Sequence, residues 1–312
     1  MLSQSPLVSV IIPVHNREME LKRAIGSVLN QSYVNLEILV MDDASSIDIP
    51  AVISGFNNEK IHYFRSDLKS NANVMRNKGI DNAKGELIGF LDSDDEWMPD
   101  HLTVKVEELR ERNADGIFGS SFIDNGTSKR YIPSVDMPSH LHPVEYLLSI
   151  GFAGTPSFLV RTEAAKNIMF DEQLHRHQDF DFFSRFAVKY VFVASWKPTV
   201  IIHWTDGEVR QKHAGSEIRF IQHNFKNIQP KIYKTYHLKR LLAWRSSGNE
   251  KVIAHYKQET LRYIHHLPFI EYCSVFPQRT GVWGFLMNWI GYSSLSLKRK
   301  FSQPKRATLL EE

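Results

Sequence analysis

Residues 7–14, LVSVIIPV, are apolar and mostly β-branched. Such a run has no polar face, so it fits a strand buried on both sides, as in a parallel sheet. Glu18 to Leu29 follows, with Leu21, Ala24, Ile25, Val28 and Leu29 at helical spacing. The alternation then repeats. Leu36 to Met41 reads as a second strand and Lys60 to Arg65 as a third. Asn73 to Ala83 reads as a helix stopped by Gly85, Leu87 to Leu91 as a fourth strand, and Pro99 opens a further helix. Strands alternating with helices predict βαβ units, hence an α/β fold with a mostly parallel central sheet flanked by helices.

Beyond about residue 115 the pattern is mixed. Strands are expected at Gly116–Ile123, Arg130–Val135, Val191–Trp196 and Thr199–Trp204, and helices at His142–Ser149 and Asp179–Lys189. From Ser216 onward the chain reads as helices. A length of 312 residues holds one full α/β domain and a smaller appendage. The expected division is an α/β domain over 1–215 and a helical C-terminal extension over 216–312.

Charge follows the same division. Residues 1–230 carry a net charge of −6 and residues 231–312 one of +9, within a total of +3. The basic part suits an anionic partner. Residues 282–306 join Trp283, Phe285, Trp289 and Tyr292 to Lys298-Arg299-Lys300 and Lys305-Arg306. This pattern fits either an interfacial helix on an anionic membrane or a helix packed on the core with a solvated basic tail. The basic residues form no recognisable nucleic-acid module, so no nucleic-acid partner is expected. Cys273 is the one cysteine, which excludes an intramolecular disulfide and suits a reducing, cytoplasmic compartment. The apolar N-terminal run is short and lacks a basic flank, so it reads as a buried strand and not as a signal peptide.

In parallel sheets ligands sit at the carboxyl ends of the strands. Two acidic clusters fall there. Asp92-Ser93-Asp94-Asp95 follows the fourth strand, and its carboxylates repel one another unless a cation neutralises them. Mg²⁺ or Mn²⁺ would do so, completing its shell with water and phosphate oxygens. The cluster also fits a cap for the helix beginning near Pro99. Asp42-Asp43 ends the second strand, where a carboxylate can accept from a base or ribose; taken alone, an Asx turn is the plainer reading. Arg76-Asn77 suits phosphate or ribose contact, or a solvated helix face. Asp179 and Asp181 open a helix beside Phe180, Phe182 and Phe183, where partial burial would raise a carboxyl pKa as a general base requires; a helix cap is the plainer reading. His175, His177, His203 and His213 are scattered polar sites, and no Cys/His spacing for structural zinc is present. P-loop and dinucleotide fingerprints are absent from the sequence.

Taken together, VSVIIPVHNRE, LEILVMDDAS, NVMRNKGIDNAKGELIGFLDSDDEW and FDEQLHRHQDFDFFSRF resemble, in order, the motifs of the family 2 glycosyltransferases, which have the GT-A fold. The resemblance spans roughly residues 6–205. It implies an inverting, metal-dependent transferase that takes a nucleotide-diphosphate sugar, with a UDP-sugar expected, and a saccharide or lipid-linked saccharide acceptor. It implies donor-binding roles for Pro13, His15, Arg17, Asp42, Asp43, Arg76, Asp92, Ser93 and Asp95, with Asp42 supporting its loop and Asp95 near the sugar. Asp94 and Asp92 become the metal pair, with His203 and His213 competing for a further place, and Asp179 becomes the catalytic base. Two positions depart from the family pattern. Ala44 stands where glycine is usual, and Gln178 where glutamate usually precedes the base. A sugar-nucleotide nucleotidyltransferase and a non-catalytic nucleotide-sugar-binding protein remain alternatives. The membrane-facing tail would put such an enzyme at the inner face of the cytoplasmic membrane.

Overall fold

The computed structural model describes residues 2–149, 151–204, 214–245 and 249–262. The chain divides into two compact units, residues 1–147 with 151–224, and residues 148–150 with 225–312.

The first unit opens with β1 (Val8–Val14), buried at every position. In α1 (Glu18–Leu29) the buried residues are Leu21, Ala24, Ile25 and Val28, one stripe of an amphipathic helix. β2 (Leu36–Asp42) is again buried throughout. α2 (Ile49–Ser54) is capped by Asp48, whose carboxylate accepts from Ala51 N at 3.0 Å. After β3 (Ile61–Arg65) comes α3 (Ala72–Asn82), capped by the Asn71 side chain. The inner face of α3 is partly polar: Asn73, Arg76 and Asn77 are buried beside Met75 and Ile80. It lies so close to β1 that a side chain at Gly79 would come within 2.6 Å of Ile11.

β4 (Leu87–Phe90) and β5 (Glu96–Trp97) bracket the Asp92–Asp95 loop, and α4 (His101–Glu111) follows. Then come β6 (Gly116–Asp124), β7 (Lys129–Ile132), α5 (Pro143–Ser149), β8 (Leu159–Arg161), α6 (Thr162–Ile168), α7 (Gln178–Lys189), β9 (Phe192–His203) and α8 (Ala214–Asn224).

Among the described residues the strands form one nine-stranded sheet in the order β3-β2-β1-β4-β8-β6-β9-β5, with β7 beside β6. β3, β2, β1 and β4 are mutually parallel. β8 enters antiparallel between β4 and β6, while β6 and β9 are parallel. The parallel character expected from the sequence therefore holds through β3-β2-β1-β4 and between β6 and β9, and the antiparallel pairs of β8, β7 and β5 make the sheet as a whole mixed. The expected break between Val191–Trp196 and Thr199–Trp204 is instead a bulge within one long strand, at the register shift opposite Gly119 and Ser121. Pro198 is accommodated there because a bulge needs no ladder donor. From β1 the chain moves to β2 and β3 on one side and later to β4 on the other. That reversal opens a crevice at the carboxyl ends of β1, β2 and β4.

In the second unit α9 (Pro230–Trp244) packs against α10 (Glu250–Arg262). Leu238, Leu241 and Tyr256 are buried, and Tyr233 Oη donates to Glu259 at 2.7 Å. No helix among the described residues is long and apolar enough to cross a membrane. Residues 282–306 lie outside the described residues.

Candidate active site

Three loops meet the crevice from strand ends. After β1, His15 Nδ1 lies 2.9 Å from the Asp43 carbonyl oxygen, and Asn16 N donates to Ser45 Oγ at 3.0 Å. Asn16 and Ala44 both have left-handed backbone, at φ +53° and +56°. The loops after β1 and β2 therefore turn sharply and hold each other. Pro13 is buried within β1, which gives it a part in the strand and no exposed contact surface.

Asp42 and Asp43 do different work. Asp42 is fully buried and its carboxylate is used up within the protein: Oδ1 accepts from Ser45 N at 2.9 Å, and Oδ2 from Tyr63 Oη at 2.7 Å and Arg65 Nη1 at 2.9 Å. Those three bonds tie the Asp42 carboxylate to its own loop and to β3. Asp43, just past the end of β2, is buried as well. Its carboxylate accepts from Ser70 N and Oγ, both at 2.7 Å, and pairs with Lys69. Burial pushes its pKa up, but the bonds from Lys69 and Ser70 outweigh this and hold it below the ordinary carboxylate value.

After β4, Asp92 accepts from Arg76 Nη2 at 2.5 Å. Arg76 is held on three sides, by Asp92, by Asn73 Oδ1 at 3.0 Å and by the Phe170 ring at 5.2 Å. Asn77 faces the protein instead: it bonds Phe170 O at 3.0 Å and Glu172 Oε1 at 2.9 Å, and accepts from Phe170 N at 2.8 Å. Asp94 pairs with Arg17, and Arg23 donates to the Asp94 carbonyl. Ser93 and Asp95 are buried. Asp95 Oδ1 accepts from His203 N at 2.9 Å, tying the acidic loop to the end of β9. Its side chain is thus held to the end of β9, beside β5. Burial, then the charges of Asp92 and Asp94, drive its pKa well up. The His203 ring lies 3.3 Å from Glu96 at the same loop. His213 lies outside the described residues.

Asp179 comes from far along the chain, in the first turn of α7, and is half-buried. Burial raises its pKa to about 6, against the opposing pull of the Phe180 N–H and the Arg76 charge, while the Asp92 charge adds to the rise. Arg76 and Asp92 are thus its electrostatic neighbours. Asp181, two residues on, is bound by Arg185 at 2.5 and 2.8 Å and serves structure. The preceding loop is anchored to α8: His175 N donates to Ser216 Oγ at 3.0 Å, Arg176 pairs with Glu217 at 3.2 Å, and the His177 ring stacks on Phe220 at 5.4 Å.

The donor set at Asp92 and Asp94 suits a hard divalent cation. Burial first, and then the charges of Asp92 and Asp94, press Asp95 toward its neutral form. Among the described residues no group of three or more His, Cys, Asp or Glu side chains forms a ready-made metal cage. Mg²⁺ and Mn²⁺ commonly take one or two carboxylates together with phosphate oxygens.

A parallel half-sheet with acidic loops at its switch point, joined to a mixed half that delivers a carboxylate on α7, belongs to the GT-A class of glycosyltransferases. The model of glycosyl transferase family 2 matches residues 9–192, and the chain belongs to that family. It is 29% identical over 226 residues to the amylovoran biosynthesis glycosyltransferase AmsB of Erwinia amylovora, covering 68% of this chain and 74% of the relative. It is 31% identical over 179 residues to the GalNAc(5)-diNAcBac-PP-undecaprenol beta-1,3-glucosyltransferase of Campylobacter jejuni, covering 55% of this chain and 57% of that one. Its fold is similar to that of S. aureus TarS 1–349 in complex with UDP-GlcNAc, with a TM-score of 0.57, 17% identity, and 96% and 93% of the two chains covered. The mannosyltransferase PcManGT of Pyrobaculum calidifontis, in complex with GDP-Man and Mn²⁺, gives a TM-score of 0.52 at 14% identity over 97% and 89% of the chains.

Sequence reasoning missed the residues that hold the aspartates. Tyr63, Arg65, Lys69, Ser70 and Arg23 carry no motif of their own. One signal was present: Arg65 faces Asp42 in the β2–β3 register, as the strand-end alignment of two neighbouring parallel strands would suggest.

Proposed function

We propose that the chain transfers a sugar from a nucleotide-diphosphate sugar to a hydroxyl of a saccharide or lipid-linked saccharide, inverting the anomeric configuration. The observation that carries this reading is Asp179: a carboxylate with its pKa raised to about 6, in the field of Arg76 and Asp92. A base of that pKa is ionised at neutral pH and retains proton affinity.

Asp179 accepts the acceptor hydroxyl proton as that oxygen attacks the anomeric carbon. The nucleotide diphosphate leaves from the opposite face, so one displacement inverts the centre. Asp43 receives the base or ribose at the end of β2, and His15 braces that loop. Arg76 holds Asp92 in place and presents positive charge where the diphosphate leaves. Asp94 and Asp92 would hold Mn²⁺ or Mg²⁺, which supplies Lewis-acid stabilisation of a leaving diphosphate when bound. Positioning and fixed charge lower most of the barrier.

A UDP-sugar donor is supported by TarS with UDP-GlcNAc and by a relative in Escherichia coli whose name specifies UDP-Glc. A lipid-linked acceptor, and a place in bacterial polysaccharide synthesis, is supported by the names of the Campylobacter and Erwinia relatives. On this reading residues 1–215 form the catalytic domain. The aromatic and basic composition of residues 282–306 suits contact with an anionic membrane surface.

The test is a donor screen with Mn²⁺ and a polyprenyl-diphosphate saccharide, following nucleotide release and the anomeric proton coupling of the product. Transfer with inversion is expected. Retention of configuration, or release of pyrophosphate from a nucleoside triphosphate, would overturn the reading.

A further inference from the structure

α6 ends at Ile168 and α7 begins at Gln178. The chain between them forms no helix or strand, so its backbone carbonyls need partners from elsewhere. α3 and its cap supply them with three asparagines. Asn71 Nδ2 donates to Glu172 O at 2.9 Å and Asn77 Nδ2 to Phe170 O at 3.0 Å. Asn73 Nδ2 donates to both Asp171 O at 2.9 Å and Leu174 O at 2.7 Å.

Asn73 stands at the centre of this set. It is buried, and both ends of its amide are engaged. While its N–H groups take the two carbonyls, its Oδ1 accepts from Arg76 Nη1 at 3.0 Å. A guanidinium only donates and a carbonyl only accepts, so the amide has one way round. Arg76 in turn bonds Asp92 and lies against the Phe170 ring at 5.2 Å. One amide therefore ties two things to α3: the chain that runs on to Asp179, and the guanidinium whose charge Asp179 feels. α8 holds the same stretch from another side, through Ser216 and Glu217. α3, packed on β1 and β2, relates it to the parallel strands.

We propose that Asn73 is a positioning residue for Asp179: it sets the stretch before α7 in register with α3, and so holds the base in its place beside Arg76. The proposal rests on the reading of Asp179 as the base and deepens it. Bonds to two carbonyls three residues apart fix both the position and the rotation of that stretch. A displacement of about 1 Å at a reacting group costs about 10²-fold in rate. With its amide fully engaged, Asn73 offers nothing to a substrate. Its loss is felt in turnover and not in nucleotide binding.

The test uses the full chain as wild type, Asn73→Ala, Asn73→Asp and Asn82→Ala. Amide hydrogen exchange is followed over residues 169–179 and, for comparison, 8–45. UDP affinity is measured by calorimetry, and kcat and KM with UDP-glucose, Mn²⁺ and a polyprenyl-diphosphate saccharide. Asn73→Ala should speed exchange over 169–179 and leave 8–45 unchanged. It should lower kcat about 10- to 100-fold, with the Kd for UDP and the KM for UDP-glucose within about threefold of wild type. Asn73→Asp is isosteric and keeps the acceptor for Arg76, but turns an anionic oxygen on the two carbonyls. It should lose at least as much kcat as Asn73→Ala. Asn82→Ala, where the amide bonds Lys78 O of its own helix, should match wild type. Unchanged exchange over 169–179 in Asn73→Ala, or wild-type kcat in Asn73→Asp, overturns the proposal. So does a loss of UDP affinity in step with kcat in Asn73→Ala, which marks general loosening. Exchange decides the clamp whether or not UDP-glucose is the donor. Turnover that survives Asp179→Asn overturns the base reading beneath, a separate outcome.

Discussion

Arg76 on α3 donates to Asp92 at the end of β4 at 2.5 Å, and its charge also favours the ionised form of Asp179 on α7. One buried guanidinium thus links the loop proposed to receive the diphosphate to the proposed base, far apart in the sequence. The pairing has consequences for pH, for stability and for catalysis.

The first concerns the rate profile. Asp179 works as a base only when ionised, and its pKa stands at about 6. The acid limb of kcat/KM should therefore bend near pH 6 and fall about tenfold per pH unit below it. Initial rates from pH 4.5 to 8.5 at constant ionic strength measure this. A flat profile down to pH 5 would remove Asp179 as the titrating base.

The same carboxylate should cost stability at neutral pH. Its folded value of about 6 lies above an unfolded value of about 3.9. The folded state therefore holds the proton more tightly. Its stabilising contribution is complete below about pH 4 and is lost as pH rises through 6. Asparagine is neutral throughout. Asp179→Asn should exceed wild type by about 1–2 kcal/mol at pH 8, after allowance for screening of a half-buried group, and match it near pH 4. Thermal unfolding at the two pH values checks the difference.

Ala44 carries a left-handed backbone at φ +56°. A Cβ costs about 1–2 kcal/mol in that region, and glycine gives back about 0.5–1 kcal/mol in unfolded-chain entropy. Ala44→Gly should thus stabilise the protein by about 0.5–1 kcal/mol, read as a higher urea midpoint with an unchanged m-value. A lower midpoint would mean that the turn is not strained as described.

Asp42 depends on Tyr63 and Arg65 for its buried charge. Arg65→Leu leaves that carboxylate one partner short in the interior, which should lower the urea midpoint clearly below wild type. Lys22→Ala, which breaks an exposed pair with Glu18 in α1, is the control and should cost no more than about 0.5 kcal/mol.

Much of this was written in the sequence, and what was not has physical reasons. β1, β2 and β4 are continuous apolar runs, so their carboxyl ends, and the aspartates just past them, stand out against the pattern. β5 has two residues, β8 three and α2 six, too few to show a period. The bulge at Trp196–Pro198 read as a gap because Lys197 and Pro198 interrupt the apolar pattern there. At the site, the aspartates were visible but their partners were not, since Tyr63 and Lys69 acquire meaning only once β3 lies beside β2. The choice between Asp179 and Asp181 was closer to hand. Arg185 stands four residues after Asp181, the spacing that pairs charges along a helix, and leaves Asp179 for other work.

The central claim is that Asp179 takes the acceptor proton in a cleft whose donor-binding half is built without it. Donor affinity by calorimetry and single-turnover transfer, measured together on wild type and Asp179→Asn, test it most directly. The account predicts that transfer falls about 10²–10⁴-fold while the Kd for the nucleotide stays within about threefold. An Asp179→Asn enzyme that binds donor normally and transfers sugar within tenfold of wild type would contradict it.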